Sequence, residues 1–282
     1  MNKKISVTAL WVLLFAGLLC ESGAAFGPAV RAEESQSKIA DVYLIGGQSN
    51  AAGIAPVAGV TPPQTDKVMF YGDGGMNNRP FGDPIHFVPV AMGFGENINL
   101  FGPEVGLAGV LQAQKADRDN FIVKYAWGDT DIFADWRSPS LGGTIGGKYE
   151  SFVQTVHTGL DVLTAQGYTI NLCGLAWMQG EKDAISKEKA IAYTQNLMNL
   201  ITDLRAEFDT DFPVVIGKIN EDIHLMPYNR IVILAQQAAA NAMDGVYFMD
   251  TSELRMKGND PWHYDGESML KLGAKFGEML IR

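Results

Sequence analysis

Asp41-Val42-Tyr43-Leu44-Ile45-Gly46-Gly47-Gln48-Ser49-Asn50 is the stretch on which the fold turns. Four consecutive apolar side chains, 42–45, closed by two glycines, read as a short strand of a parallel sheet covered on both faces. The glycines permit a tight turn at its end, and Ser49 follows that turn with its hydroxyl free to be exposed.

Outward from this strand the same alternation repeats. Strands are predicted over 41–45, 121–126, 170–177, 213–219 and 245–249, with a short extra run at 67–71. Helices are predicted over 104–115, 149–163, 187–208, 227–242 and from 267 to the end. In the third of these, Tyr193, Leu197, Leu200, Ile201, Leu204 and Phe208 recur at three- and four-residue steps and form one apolar stripe. Strand-helix alternation of this kind predicts an α/β fold: a three-layer α/β/α sandwich around a central, mostly parallel, five-stranded sheet. No repeat or linker interrupts it, so residues 33–282 are read as one domain. Roughly 250 residues bury a sizeable core without staples or metals. The segment 51–101, rich in Gly, Pro and Asn, breaks the pattern and is read as an insertion shaping the rim of a site. The glycine-rich loop 141–147 is expected to do the same from the other side.

Residues 1–32 are read as a signal peptide and left out of the fold. Lys3 and Lys4 precede an apolar run over 5–20, and small residues lead to Val30-Arg31-Ala32. Export to the periplasm or the exterior is therefore expected. The run is shorter than the roughly 20 residues a membrane span needs. The formal charge of the chain is −10, and loss of Lys3, Lys4 and Arg31 makes it more negative. With no basic cluster, nucleic acid and membrane surfaces are excluded as partners. Cys173, the single cysteine after processing, reads as a small buried hydrophobe.

In parallel α/β sheets reactive groups gather at the carboxyl edge. Three unusual segments fall there: Gly47-Gln48-Ser49-Asn50, Lys124-Tyr125-Ala126-Trp127-Gly128-Asp129-Thr130, and Trp177-Met178-Gln179-Gly180-Glu181-Lys182-Asp183. With Phe101-Gly102-Pro103-Glu104 and the terminal Asp260-Pro261-Trp262-His263, they resemble, in order, the blocks of SGNH hydrolases. Within these they are most similar to the sialate O-acetylesterases and acetylxylan esterases. The resemblance implies a carbohydrate O-acetylesterase acting through an acyl-enzyme, with Ser49 as nucleophile, His263 as base and Asp260 as its orienting acid. It also implies an oxyanion hole from Ser49, Gly128 and Gln179, supported by Asn50, Gly180 and Glu181. Asp129 departs from the pattern, standing where a Gly-Gly-Thr sequence is usual.

The residues allow the same chemistry in their own right. A serine hydroxyl needs a base within hydrogen-bond reach and a third group to orient that base. Asp260, three positions before His263, suits Nδ1 while Nε2 faces the serine; Asp265 serves equally well as the cap of the last helix. Asp83 and His86 repeat the spacing and form a rival pair. Glu181 with Asp183 resembles a glycosidase pair only superficially, since i, i+2 spacing does not set two carboxyls across a sugar ring. Glu181 is expected instead to bond backbone in the nucleophile turn. Asp129, Asp131 and Asp135 lack the spacing of a calcium loop, and Gly46-Gly47 lacks a dinucleotide fingerprint. Neither metal nor cofactor is called for. Trp127, Trp136 and Trp262 flank the site and offer faces for sugar rings. An acetylated carbohydrate is the expected substrate. A general short-chain esterase and a non-catalytic carbohydrate-binding protein are the competing readings.

Overall fold

A computed structural model describes residues 38–72, 86–221 and 224–282. The expected leader and Asp83 lie outside these residues. In chain order the elements are β1 (Lys38–Gly47), α1 (Ser49–Ala52), β2 (Ala55–Pro56), β3 (Met69–Gly72), β4 (Val88–Pro89), β5 (Leu100–Phe101), α2 (Glu104–Gln114), β6 (Asp119–Ala126), α3 (Gly147–Ala165), β7 (Tyr168–Met178), α4 (Lys187–Glu207), β8 (Val214–Gly217), α5 (Asn229–Ala242), β9 (Val246–Met249) and α6 (Gly266–Leu280).

The sheet has the order β4-β3-β6-β1-β7-β8-β9. Five of its members, β6, β1, β7, β8 and β9, are the main predicted strands, and all pair in parallel. The sheet is seven-stranded rather than five-stranded because β3 adds in parallel beside β6 and β4 pairs antiparallel to β3. Runs of two to four residues carry almost no periodic signal, yet they satisfy backbone groups that the edge of β6 would otherwise leave open. Helices cover both faces. A Cβ at Gly46 would stand 2.9 Å from Phe152 of α3, so the face shared by Gly46 and Trp177 meets α3. Gly174, three residues earlier and on the opposite face, meets Leu280 of α6. Right-handed crossovers place α4 and α5 with α3, and α2 packs against α6.

One irregularity lies in β7. Between Val42 and Tyr43 the β1–β7 register shifts, and Cys173 is the residue left without a partner across the pair. The bulge is held by Gly174, whose φ is +146° and where a Cβ would stand 2.7 Å from the Pro213 carbonyl oxygen. Cys173 is half-buried, and burial pushes its thiol up to about 11, which leaves it unreactive as a nucleophile.

Candidate active site

Register explains how distant segments meet. Gly47, the last residue of β1, lies opposite Ala126 of β6 on one side and Met178 of β7 on the other. The residues after each strand therefore emerge together. Gly47 has φ +136°, and a Cβ there would stand 2.0 Å from the Met178 carbonyl oxygen, so only glycine fits. Gln48 N then donates to Met178 O at 2.9 Å, and Ser49 opens the single turn of α1.

Ser49, Gly128, Trp127, Glu181, Trp262 and His263 line one cleft of about 390 Å³. Ser49 is 7% exposed. A Cβ placed on Gly128 would lie 3.6 Å from Ser49 Cβ, which measures how closely the second block approaches the first. His263 Nδ1 is 2.7 Å from Asp260 Oδ2, and Asp260 Oδ1 accepts the Trp262 amide at 3.0 Å. Burial works to raise the Asp260 carboxyl, but the bonds from His263 and Trp262 prevail and hold it below its ordinary value. Asp265 caps α6 by accepting from Ser268 N at 2.7 Å, leaving Asp260 to the imidazole.

Asn50 joins three of the segments. Its Nδ2 donates to Glu181 Oε1 at 3.1 Å and to Trp262 O at 3.0 Å, and its Oδ1 accepts the Tyr264 amide at 3.4 Å. The nucleophile turn is thus bonded to both neighbours of His263. Glu181 acts through this side chain rather than through backbone of the nucleophile turn.

Two predicted roles are corrected. Gln179 is fully buried and outside the cleft; its Nε2 donates to Thr130 O at 2.9 Å and to Asp183 Oδ2 at 2.7 Å, so no amide hydrogen remains for an oxyanion. Gln48 lines the cleft instead. Its Oε1 lies 3.4 Å from the amides of Gly180 and Lys182, which gives Gly180 a bracing part. Trp136 is buried beneath the site, bonded to Thr130 Oγ1 at 2.9 Å and edge-on to Trp177 at 5.0 Å. It is core, whereas Trp127 and Trp262 reach the cleft.

Other expectations resolve by position. His86 lies in a separate hollow beside Asp119 and Asn120, at the amino end of β6 and so at the wrong edge of the sheet. His157 pairs with Glu207 at 2.7 Å. Asp129 has φ +55°, so it adopts the left-handed backbone for which glycine is usual, a conformation Asp tolerates better than most residues. Asp131 pairs with Lys189 and caps Ala134 N at 2.7 Å. The loop 141–147 stays outside the cleft lining, but α3 beyond it sets Lys148 Nζ 3.5 Å from the Trp127 ring.

In the wall of the cleft, burial drives the Glu181 carboxyl up to about 7, opposed only in part by its own backbone amide and Asn50. Its Oε2 is buried with no partner. Asp183 is likewise raised to about 7, chiefly by burial. A carboxyl whose pKa rises on folding binds its proton more tightly in the folded state. The protein is then most stable below the unfolded value and loses stability as pH climbs toward 7. Glu181→Gln removes that loss while keeping an acceptor for Asn50. At pH 8 this variant should unfold with ΔG higher than wild type by on the order of 2 kcal/mol, with little difference at pH 4. Urea titrations at the two pH values check it.

Sequence reasoning missed three residues here. Gln48 was masked by its neighbour Ser49. Glu96 sits in the aperiodic insertion and has no spacing to betray it, yet lines the cleft beside Gly128. Lys124 reads as one polar residue within an apolar strand; it is fully buried, as is Glu104. Its Nζ donates to Ala52 O at 2.9 Å, Phe94 O at 3.0 Å and Glu104 Oε2 at 2.9 Å, clamping the end of α1 to α2 and the insertion.

The sheet brings these segments together at the carboxyl ends of β1, β6 and β7. The family model for carbohydrate esterases, sialic acid-specific acetylesterase, matches residues 39–282, and the chain belongs to that family. It is a carboxylic ester hydrolase that acts on O-acetylated carbohydrates. Among solved structures, a protein from Arabidopsis thaliana is similar at TM-score 0.67 and 18% identity, covering 86% of this chain and 97% of that one. NanS is similar at 0.65 and 15%, covering 87% and 97%. A carbohydrate acetylesterase from Xanthomonas citri is similar at 0.58 and 17%, covering 85% of this chain and 55% of its own. At these identities the likeness is one of fold. No curated protein sequence matches.

Proposed function

We propose that this protein is an exported serine esterase that removes acetyl groups from carbohydrates through Ser49, His263 and Asp260. The observation that carries the reading is that Ser49 and His263 line one cleft while Asp260 holds the far nitrogen of the imidazole. With Asp260 accepting from Nδ1–H, Nε2 is left as the basic nitrogen. Ser49 Oγ attacks the acetyl carbonyl as His263 takes its proton, and the tetrahedral oxyanion forms against the amides of Ser49 and Gly128. Neither amide donates to another backbone carbonyl among the described residues. The Gln48 side chain adjoins them, its oxygen held from behind, and supplies the third donor. His263 then protonates the departing sugar oxygen, leaving an acetyl-serine. Water, deprotonated by the same imidazole, attacks that ester and releases acetate and free Ser49.

Labelling with a fluorophosphonate tests the reading. The reagent should add to Ser49 alone, located by peptide mass spectrometry, and abolish acetate release from acetylated xylooligosaccharides. An unlabelled Ser49 in active protein would sink the proposal. Comparing kcat/KM for acetylated sugars with that for a simple aryl acetate separates a carbohydrate esterase from a general one. Export rests on the charged and apolar pattern of residues 1–32, and N-terminal sequencing of the protein recovered outside the cytoplasm tests it.

A further inference from the structure

The insertion delivers one group to the cleft that the hydrolytic chemistry does not use. Glu96 is fixed at its backbone, with its N–H donating to Gly53 O at 2.9 Å and Gly95 N donating to Leu100 O at 3.0 Å. Its carboxylate stands against the proposed oxyanion donor: a Cβ built on Gly128 would lie 2.9 Å from Glu96 Oε1. Among the described residues it has no ion pair. Burial raises its carboxyl, while His263, Lys124 and Lys257 oppose the rise.

Among the described residues, the cleft is poor in free cations. Lys182, the only cationic side chain in the described lining apart from the imidazole, is 2.7 Å from Asp129. Lys257 is 3.1 Å from Asp260, which also holds His263. Lys148 lies over the Trp127 ring and outside the lining. Glu181 adds a further carboxyl in the wall, and no arginine is present among the described lining residues. A sugar carboxylate is normally bound by an unengaged cation, most strongly by a bidentate arginine. Here it would meet Glu96 in a partly desolvated cleft, where like charges a few ångströms apart repel strongly. Sugar hydroxyls, in contrast, are donors that a carboxylate accepts well.

We infer that Glu96 makes this cleft select acetylated sugars that carry no carboxylate, by accepting hydrogen bonds from ring hydroxyls and repelling anionic rings. The inference rests on the esterase reading above and narrows its substrate class, although the family description refers to sialic acid.

Two matched pairs test it: acetylated N-acetylneuraminic acid against its methyl ester, and an acetylated methyl glucuronoside against its methyl ester. Each pair differs by one charge. With wild-type protein, kcat/KM for the ester should exceed that for the free acid by about tenfold or more, a gap of the size that one close like charge in a partly desolvated site supplies. Glu96→Gln should collapse this ratio, and Glu96→Lys should invert it, with thermal unfolding confirming that both variants fold. A wild type that hydrolyses the free acids as well as the esters, or a ratio indifferent to both substitutions, overturns the inference. Turnover of aryl acetate with none of the four sugars cleaved also overturns it while leaving an esterase. Loss of aryl acetate turnover as well would bring down the esterase reading itself.

Discussion

Ser49→Ala should leave the fold intact and lower acetate release by on the order of a millionfold, the scale of nucleophile removal in other serine hydrolases. The Ser49 side chain makes no hydrogen bond among the described residues, so the variant loses a reacting atom without losing a structural contact. Its unfolding free energy should match wild type within about 0.5 kcal/mol, as for substitutions that create no cavity and strand no polar group. His263→Ala should cost a similar factor in kcat. Because the two groups act on one proton, the double variant should be no worse than either single one. Single-turnover assays with an acetylated sugar measure all three. Additive losses would mean that Ser49 and His263 serve different steps, and the proposed mechanism would fail.

Lys124→Met should instead act on stability. The substitution removes three donated bonds and strands the Glu104 carboxylate in the core, where its remaining contact is the Gly102 amide at 2.8 Å. Breaking a buried pair by removing one partner typically costs about 3–5 kcal/mol. Adding Glu104→Gln should recover part of this, because the amide keeps the bond from Gly102 without a buried charge. A double-mutant cycle in urea reads the coupling directly. The clamp ends on Ala52 O, in the same turn as Ser49, so the single variant should also lose kcat where it still folds. A Lys124→Met protein as stable as wild type would show that the clamp carries no net stabilisation.

Much of the fold was legible because parallel α/β proteins write their pattern locally. The five main parallel strands and the five long helices begin and end within a few residues of the positions that apolar runs and 3.6-residue stripes predict. Such elements announce themselves because each must bury a continuous face. β3 falls on the short extra run expected at 67–71, whereas the two-residue edge strand β4 carries no pattern of its own and is set by its partner. Ser49 and His263 line one cleft and Asp260 meets the imidazole: the sheet places Ser49 at the end of β1, whereas the loop between β9 and α6 carries the other two. Gln179 and Trp136 went the other way. Both types are as common in cores as in sites, and their neighbours decide which. Tyr193, Thr130 and Asp183 enclose Gln179, and Trp177 with Phe152 encloses Trp136.

The amino-acid sequence by itself determined the sheet, the order of its blocks and the residue types that gather at its carboxyl edge. Periodicity and turn chemistry act over a few residues and need no partner. Tertiary structure alone decided which side chains face the cleft. The inward turn of Gln179, the seating of Glu96 beside Gly128 and the three-way bonds of Asn50 depend on groups up to 214 residues apart. Only packing brings such groups within the 3 Å or so over which a hydrogen bond acts.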